Sequence, residues 1–406
     1  MVTGPVEGSG EAASDPTTGS EVALTSALFF AMMISTFPEF ALGVLAPFLV
    51  EELPVGEASI GFAASLMYLG AAVVARTAGR ALDVIGGRAG LTILYGTSIA
   101  ALVLLASSRS LIWLLALGIV ASGGLGINNP LTSRLIVEGI RDGRRGLAIG
   151  VKQTGVKVGQ SVAGALLPWL AFSLGWRPGL LVVAAVAALF LAASMLAVSS
   201  TVRGNRSTPE PSSVAAARRQ VRWLQYYSLA MATGQSALTI YLALYAVQQV
   251  GATVTEGGLM VATFALVATA TRLFWVIAAE RLIRPERALL LLSGGAIVGL
   301  VLILSAATAG TPLLWAGAVV TGATVGTWNV VVQYAILTEV DAEHTAAATG
   351  AVQSAFMLGL CIGAPLFGVT VEVAGSFALA WGIAIALALG GAVAVTVGRR
   401  PRAGRR

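Results

Sequence analysis

Twelve long apolar runs, joined mostly by short polar links, constrain this chain more than any other feature. A transmembrane helix needs about 20 mainly apolar residues, and each run comes close to or exceeds that length. Because hydrocarbon offers no partner to an irregular backbone, we expect every run to be a helix. The sequence therefore predicts an all-α membrane protein with twelve spans, at 22–50, 58–78, 89–107, 111–138, 146–172, 178–199, 222–249, 257–279, 287–308, 312–338, 346–372 and 376–397.

The composition agrees with this fold class. Of the 406 residues, 57% are hydrophobic and only 11% are charged, whereas an ordinary soluble domain carries about 25% charged residues. The arginines behind the net charge of +6 form clusters between apolar runs, so we expect a lipid bilayer and no nucleic acid as partner. With one histidine and one cysteine, a site built from several His and Cys ligands is excluded. We expect no metal, no cofactor and no enzymatic activity.

One longer polar link divides the chain. Residues 200–221 are rich in Pro, Ser and Arg, which is typical of a linker. We therefore expect a six-helix bundle over 22–199 and a second one over 222–397. The Gly/Ser/Thr-rich residues 1–21 predict a disordered tail, and residues 398–406 predict a basic tail.

The positions of the basic residues orient the chain. With the N-terminus inside, most of the 25 lysines and arginines, Arg272 among them, fall in links on one side. Only Arg109 and Arg177 fall on the other side. Because positive links stay in the cytoplasm, we expect a multi-pass protein of the cytoplasmic (inner) membrane with both termini in the cytoplasm.

The two halves repeat. An offset of 200 residues sets Gly126 and Asn129 against Gly326 and Asn329, and it sets Gly150 and Gln153 against Gly350 and Gln353. Parallel repeats of this kind place a binding site at their interface, near the membrane midplane.

The link after the second span carries a family resemblance. It reads Gly79-Arg-Ala-Leu-Asp83-Val-Ile-Gly86-Gly-Arg88, and it is similar to the G-x-x-x-D-[RK]-x-G-[RK]-[RK] signature of the major facilitator superfamily. It departs from that signature at residues 84 and 87. The resemblance covers about 22–397 and implies two pseudo-symmetric six-helix bundles, with helices 1, 4, 7 and 10 lining a cavity.

A second motif narrows the resemblance. The fifth span begins Gly150-Val-Lys-Gln-Thr-Gly155, which resembles a bacterial branch of the superfamily with a G-x-K-Q-[ST] pattern there. That pattern implies a fold and a mode of action, without naming a solute.

Gating residues are expected at the cytoplasmic end. A carboxylate at Asp83 can accept from a helix N-terminus or pair with arginine, so Gly79, Asp83, Gly86 and Arg88 form a candidate latch; the alternative is a solvated turn that fixes topology. Two further residues, Arg134 and Glu138, lie four apart near the end of the fourth span. They are candidates for a gate or a topology network.

Both lysines of the chain lie in the fifth span, where a charge is costly and so usually functional. Helical spacing places Gln153, Lys157 and Gln160 on one stripe. Lys157 is either a cavity cation that faces the solute or one member of an ion pair between helices. Lys152 is either a solute ligand or a side chain that extends toward the cytoplasm.

Glu39 is the acidic residue near the middle of the first span, after Pro38. A carboxylate there is a candidate proton-coupling site; the alternatives are a static salt bridge with Lys157 and a hydrated position at the outer mouth. The amides Asn129, Asn329, Gln353 and Gln235 either bind the solute or bond to neighbouring helices.

These features predict a secondary active transporter, a monomer that moves a small polar or anionic organic solute by alternating access and is coupled to protons as symporter or antiporter. No phosphate-binding G-x-x-x-x-G-K-[ST] motif occurs, so energy from ATP is not indicated. Two alternatives remain open: proton-driven efflux of amphipathic drugs, and a membrane-embedded solute sensor. No catalytic residue is assigned.

Overall fold

The computed structural model describes residues 18–198, 219–340 and 344–398. Within these ranges every regular element is a helix, which confirms the predicted fold class. The predicted tails at 1–21 and 398–406 and the predicted linker at 200–221 lie mostly outside the described residues.

Six crossings make up the first half of the described chain. The first crossing consists of α1 and the short α2, and the second and third are the two parts of one long helix, α3. The elements are α1 (Thr18–Val44), α2 (Ala46–Glu52), α3 (Glu57–Ala106), α4 (Leu111–Gly139), α5 (Asp142–Leu174) and α6 (Trp176–Ala197).

Six crossings also make up the second half, where α10 and α11 share one crossing. The elements are α7 (Arg222–Gln248), α8 (Val254–Ile277), a π-helical turn (Ala278–Leu282), α9 (Pro285–Ala309), α10 (Thr311–Thr324), α11 (Trp328–Glu339), α12 (Thr345–Ala374) and α13 (Phe377–Gly398).

Gly86 is the point where α3 breaks and the chain reverses direction. Its backbone has φ 81° and ψ 174°, a conformation available essentially only to glycine. The sequence predicts separate spans at 58–78 and 89–107. The structure instead continues the helix on both sides of Gly86 and makes the turn at that one residue.

The tenth crossing is also broken, where the sequence predicts a continuous span over 312–338. Residues 325–327 form a turn between α10 and α11, whereas the corresponding part of α4 remains helical through Pro130. Irregular backbone at this depth is tolerated only where protein or a cavity surrounds it. The break places the N-terminus of α11, at Trp328, in the middle of the crossing.

One predicted span differs in polarity from the others. In the described part of the chain, eleven helical segments are long and apolar enough to cross a membrane, and α5 is not among them. At 33 residues it has ample length, but it contains Lys152 and Lys157. It packs against α1 and α8, so protein surrounds much of this polar helix.

Small residues let equivalent helices approach each other in the two halves. A Cβ on Gly159 of α5 would lie 3.0 Å from Cγ of Met33 in α1. Its counterpart 200 residues later, Gly359 of α12, would place a Cβ 2.5 Å from the backbone oxygen of Leu229 in α7. Close backbone contact of this kind drives helix association in lipid, and its repetition supports the pseudo-symmetry of the halves.

Candidate functional site

A cavity of about 950 Å³ lies between the two halves. Both halves contribute polar side chains to its wall, and seven of the residues singled out in the sequence are among them. These are Glu39, Asn129, Gln153, Lys157, Gln235, Asn329 and Gln353. Two predicted solute ligands, Lys152 and Gln160, are not in the lining.

The cavity reaches toward the end of the bundle that carries the arginine-rich links. Its lining includes Gln353 near the start of α12 and four residues near the start of α5, which are Gly146, Leu147, Ile149 and Gly150. At the other end the halves are in contact: Ser65 Oγ lies 2.7 Å from the backbone oxygen of Cys361, and Tyr241 Oη lies 2.9 Å from that of Glu57. The structure is therefore closed at one end of the bundle.

Glu39 lies in the cavity wall and is bonded to Tyr68. The Tyr68 hydroxyl donates to Oε1 of Glu39 over 2.6 Å, and the tyrosine is 1% exposed. No residue in the described chain forms a salt bridge with Glu39 within 4 Å, in contrast to the sequence-based alternative of a static pair with Lys157. A tyrosine bond leaves the carboxylate able to exchange a proton without breaking an ion pair.

Lys157 faces the same cavity from α5. Its Nζ donates to Oε1 of Gln160 over 3.0 Å and lies 5.3 Å from the centre of the Phe264 ring in the second half. Gln160, which is not in the cavity lining, thus orients the Lys157 ammonium group through a hydrogen bond. The lysine is 6% exposed, and it has no carboxylate partner among the described residues.

Lys152 lies behind the wall. Its Nζ donates to Thr132 Oγ1 over 2.8 Å and to Ser133 Oγ over 2.9 Å, and the residue is 1% exposed. These bonds tie α5 to α4. Lys152 neither reaches the cavity nor extends to water in this conformation.

The amides of the wall are partly bonded to one another. Gln153 Nε2 donates to Oδ1 of Asn129 over 3.1 Å, and Trp328 Nε1 donates to Oε1 of Gln235 over 3.0 Å. These contacts occupy the side-chain oxygens of Asn129 and Gln235.

Arg272 is a cavity residue that the sequence analysis placed in a cytoplasmic link. This placement is wrong: Arg272 lies in α8, five residues before its end, and lines the cavity. Its Nη2 donates to Oδ1 of Asn329 over 3.2 Å. The sequence did contain a sign of the correct placement, because Arg272 lies inside the predicted span 257–279. Tyr68 was also missed, and a tyrosine in an apolar run gives no comparable signal.

Four of the predicted gating residues, Gly86, Arg88, Arg134 and Glu138, are not in the cavity lining. Arg134 Nε donates to Glu138 Oε1 over 2.6 Å, and Arg88 Nε donates to the backbone oxygen of Val198 over 2.6 Å. The second bond ties the end of α6 to α3. The surroundings of Gly79 and of the Asp83 side chain lie outside the described part of the structure.

Comparison with known proteins gives a family match over most of the chain. Residues 28–364 and 228–406 match the family model of the Major Facilitator Superfamily. A protein of Mycobacterium tuberculosis strain CDC 1551, named as an uncharacterized MFS-type transporter, is 28% identical over 207 residues. That match covers 50% of this chain and 46% of the relative, so the chain spans about half the length of the curated relatives it matches. The protein of the same description in strain H37Rv gives the same values.

Solved structures with low sequence identity share the fold. The nucleoside transporter NupG (D323A mutant) has a TM-score of 0.80 at 14% identity, covering 93% of this chain and 100% of its own. A D-xylose-proton symporter has a TM-score of 0.74 at 14% identity, with 93% and 97% covered. A bacterial homolog of the human lysosomal transporter Spinster, in an inward-facing and unoccupied conformation, has a TM-score of 0.71 at 18% identity, with 94% of each chain covered. With its helical crossings, its two pseudo-symmetric halves and these matches, the chain is a multi-pass membrane protein that belongs to the Major Facilitator Superfamily.

Proposed function

We propose that this protein is a secondary active transporter that moves a small polar or anionic organic solute across the cytoplasmic membrane, coupled to protons through Glu39. The observation that carries the proposal is that Lys157 and Glu39 face one cavity between the halves without forming a salt bridge. A buried charge without a partner is costly in a membrane. A solute that binds there supplies the missing partner.

The chemistry of the wall defines the solute class. Lys157 supplies positive charge, and the amides of Asn129, Asn329, Gln153 and Gln353 supply donors and acceptors. Binding sites of this size hold a drug-sized or smaller molecule. This combination favours a small metabolite with polar groups and at least one negative charge.

Proton coupling rests on the pairing of Glu39 with Tyr68. Glu39 faces the cavity, and within the described part of the chain its carboxyl group is hydrogen-bonded to a hydroxyl. Such a carboxyl group takes up or releases a proton as the cavity changes its exposure. A solved relative in fold is named as a proton symporter, which supports this assignment for a cavity of the same architecture.

Alternating access follows from the distribution of contacts between the halves. With both termini in the cytoplasm, the cavity faces the cytoplasm and the contacts of Ser65 and Tyr241 seal the outer end. Rocking of the halves breaks those contacts and closes the arginine-rich end. The bound solute then reaches the opposite side of the membrane.

Uptake by proteoliposomes under an imposed pH gradient tests the proposal, with solutes first selected by a thermal-shift screen of metabolites. We expect gradient-driven uptake in the wild type, and we expect it to be lost in Glu39→Gln and strongly reduced in Lys157→Gln. The matched controls are Glu51→Gln and Arg109→Gln, which change exposed residues away from the cavity. Uptake that is the same with and without the pH gradient, and the same in Glu39→Gln as in the wild type, would refute proton coupling through Glu39.

Efflux of amphipathic drugs is the second candidate, and one observation favours it. The wall of the second half is largely apolar around Phe356, Met357 and Leu360, and methionine and aromatic side chains adapt to varied ligands. Inverted vesicles that accumulate ethidium in a Glu39-dependent way, together with proteoliposomes that take up none of the selected anions, would establish this function instead.

A further inference from the structure

Arg272 lines the cavity with a guanidinium group whose hydrogen bonding is incomplete. Its Nη2 is held by Asn329, but its Nε is buried and has no hydrogen-bond partner among the described residues. Buried donors are nearly always paired, and the guanidinium group presents a rigid set of donors that suits oxyanions. An acceptor is therefore missing from the wall at Arg272.

A helix N-terminus lies beside this guanidinium. The first three residues of α11, Trp328, Asn329 and Val330, all line the cavity. The dipole of a helix N-terminus favours a negative charge. Of the amide groups in this turn, that of Val330 already donates to the backbone oxygen of Thr327 over 3.1 Å. The equivalent stretch of the first half is continuous helix, so the second half alone has this feature.

The charged residues that line the cavity carry more positive than negative charge. Lys157 comes from the first half and Arg272 from the second, and the two groups interact electrostatically. Among the described lining residues the one carboxylate is Glu39, which is bonded to Tyr68 and attracts Lys157. One carboxylate therefore faces two cations, and the remaining repulsion between Lys157 and Arg272 opposes closure of the arginine-rich end.

We infer that an oxyanion group of the solute is held between Lys157 and Arg272, with the N-terminus of α11 as a third source of positive potential. Arg272 is then the residue that selects anions in the second half. The bound anion offsets the repulsion between the halves, so occupancy itself permits closure over the solute. This inference deepens the proposed function and rests on it for the identity of the cargo as a small organic anion.

A distance measurement without any added solute tests this inference. Spin labels at Val137→Cys in α4 and Leu337→Cys in α11, in a Cys361→Ser background, report the separation of the halves at the arginine-rich end. Both positions are exposed and are related by the offset of the repeat. The variant Arg272→Gln removes the charge. Asn329→Asp instead places a fixed carboxylate beside Arg272, where Asn329 Oδ1 now accepts.

We expect both variants to raise the ratio of short to long distances by about fivefold or more, the lower end of usual couplings between two states. Arg272→Lys keeps the charge and is expected to match the wild type. Distances in Arg272→Gln and Asn329→Asp that equal those of the wild type would overturn the inference, and so would an equal shift in Arg272→Lys. If Arg272→Gln fails to fold, Asn329→Asp decides alone.

The outcome is separable from that of the transport assay. Unshifted distances together with gradient-driven anion uptake would rule out an anion site between Lys157 and Arg272 and would leave the proposed function in place. Shifted distances without any solute uptake would support the anion site between Lys157 and Arg272 and would count against the proposed function.

Discussion

The Tyr68 hydroxyl donates to Oε1 of Glu39 over 2.6 Å, and it does so at the depth where the two halves meet. Ser236 of α7 lies near this hydroxyl, and its own proton is donated to the backbone oxygen of Leu360 in α12 over 3.0 Å. The proposed coupling residue in the first half, through Tyr68, is therefore next to the contact between α7 and α12 of the second half.

Tyr68→Phe is expected to lower gradient-driven uptake by about tenfold, since hydrogen bonds to charged groups contribute about 1.5–3 kcal/mol. The variant leaves the Glu39 carboxylate in place but removes the group that orients it and bonds to its charged form. Solute exchange without a gradient is expected to stay close to the wild-type rate. The control is Tyr95→Phe. The Tyr95 hydroxyl lies away from the cavity and is hydrogen-bonded to Ser194 Oγ at a distance of 3.1 Å. Equal uptake by Tyr68→Phe and wild type would contradict this prediction.

Gly86→Ala is expected to destabilise the protein by about 1–3 kcal/mol, because a side chain at its φ of 81° is strained. Thermal unfolding in detergent measures the loss as a lower Tm. Gly96→Ala in the same helix is the matched control, since a Cβ there meets nothing within 4 Å. A Gly86→Ala variant as stable as Gly96→Ala would show that the turn does not depend on glycine.

Gly61→Ala is expected to open the outer end of the bundle. A Cβ on Gly61 would lie 2.5 Å from the backbone oxygen of Ala364 and from Tyr241 Oη, both in the opposite half. The native cysteine, Cys361, reports the change, because it is partly buried and its Sγ lies 3.1 Å from Ser65 Oγ at this closed end. We expect a faster reaction of Cys361 with a membrane-impermeant maleimide added outside.

The control for this experiment is Gly257→Ala, at a glycine of α8 that is also closely packed. Its Cβ would lie 3.1 Å from the backbone oxygen of Ala243, a residue of the same half. Equal maleimide rates in Gly61→Ala and wild type would rule out a steric role for Gly61 in the closed end.

Glu21→Gln is expected to lower the stability of the first half, because it removes the charge that accepts hydrogen bonds from two arginines. Glu21 is 3% exposed and accepts from Arg141 Nε over 2.9 Å and from Arg144 Nη1 over 3.0 Å. The arginines are about half exposed, so water screens part of the interaction. A drop in Tm that disappears at high salt is the expected signature, and no drop at low salt would contradict it.

Hydropathy made the helical crossings of this fold predictable, because lipid selects long apolar helices regardless of how they pack. The same property hides their orientation. Lipid and protein interior are equally apolar, so the sequence does not reveal that Lys152 points between α4 and α5 while Lys157, five residues later, faces the cavity.

The cavity was predictable in part through the internal repeat. The offset of 200 residues led to Asn129 with Asn329 and to Gln153 with Gln353, and all four line the cavity. The repeat fails where the halves differ. The turn at residues 325–327 has no counterpart in α4, and Arg272 was assigned to a link because clustered arginines usually mark one.

The most direct test of the account is whether its polar side chains face a water-accessible chamber between the halves. In a Cys361→Ser background, Gln353→Cys lies in the cavity wall, and Val298→Cys lies on an exposed apolar surface of α9 that we assign to lipid. We predict that a membrane-impermeant maleimide labels Gln353→Cys in inside-out vesicles and leaves Val298→Cys unlabelled. Failure to label Gln353→Cys from either side of the membrane, in folded protein, would contradict the account.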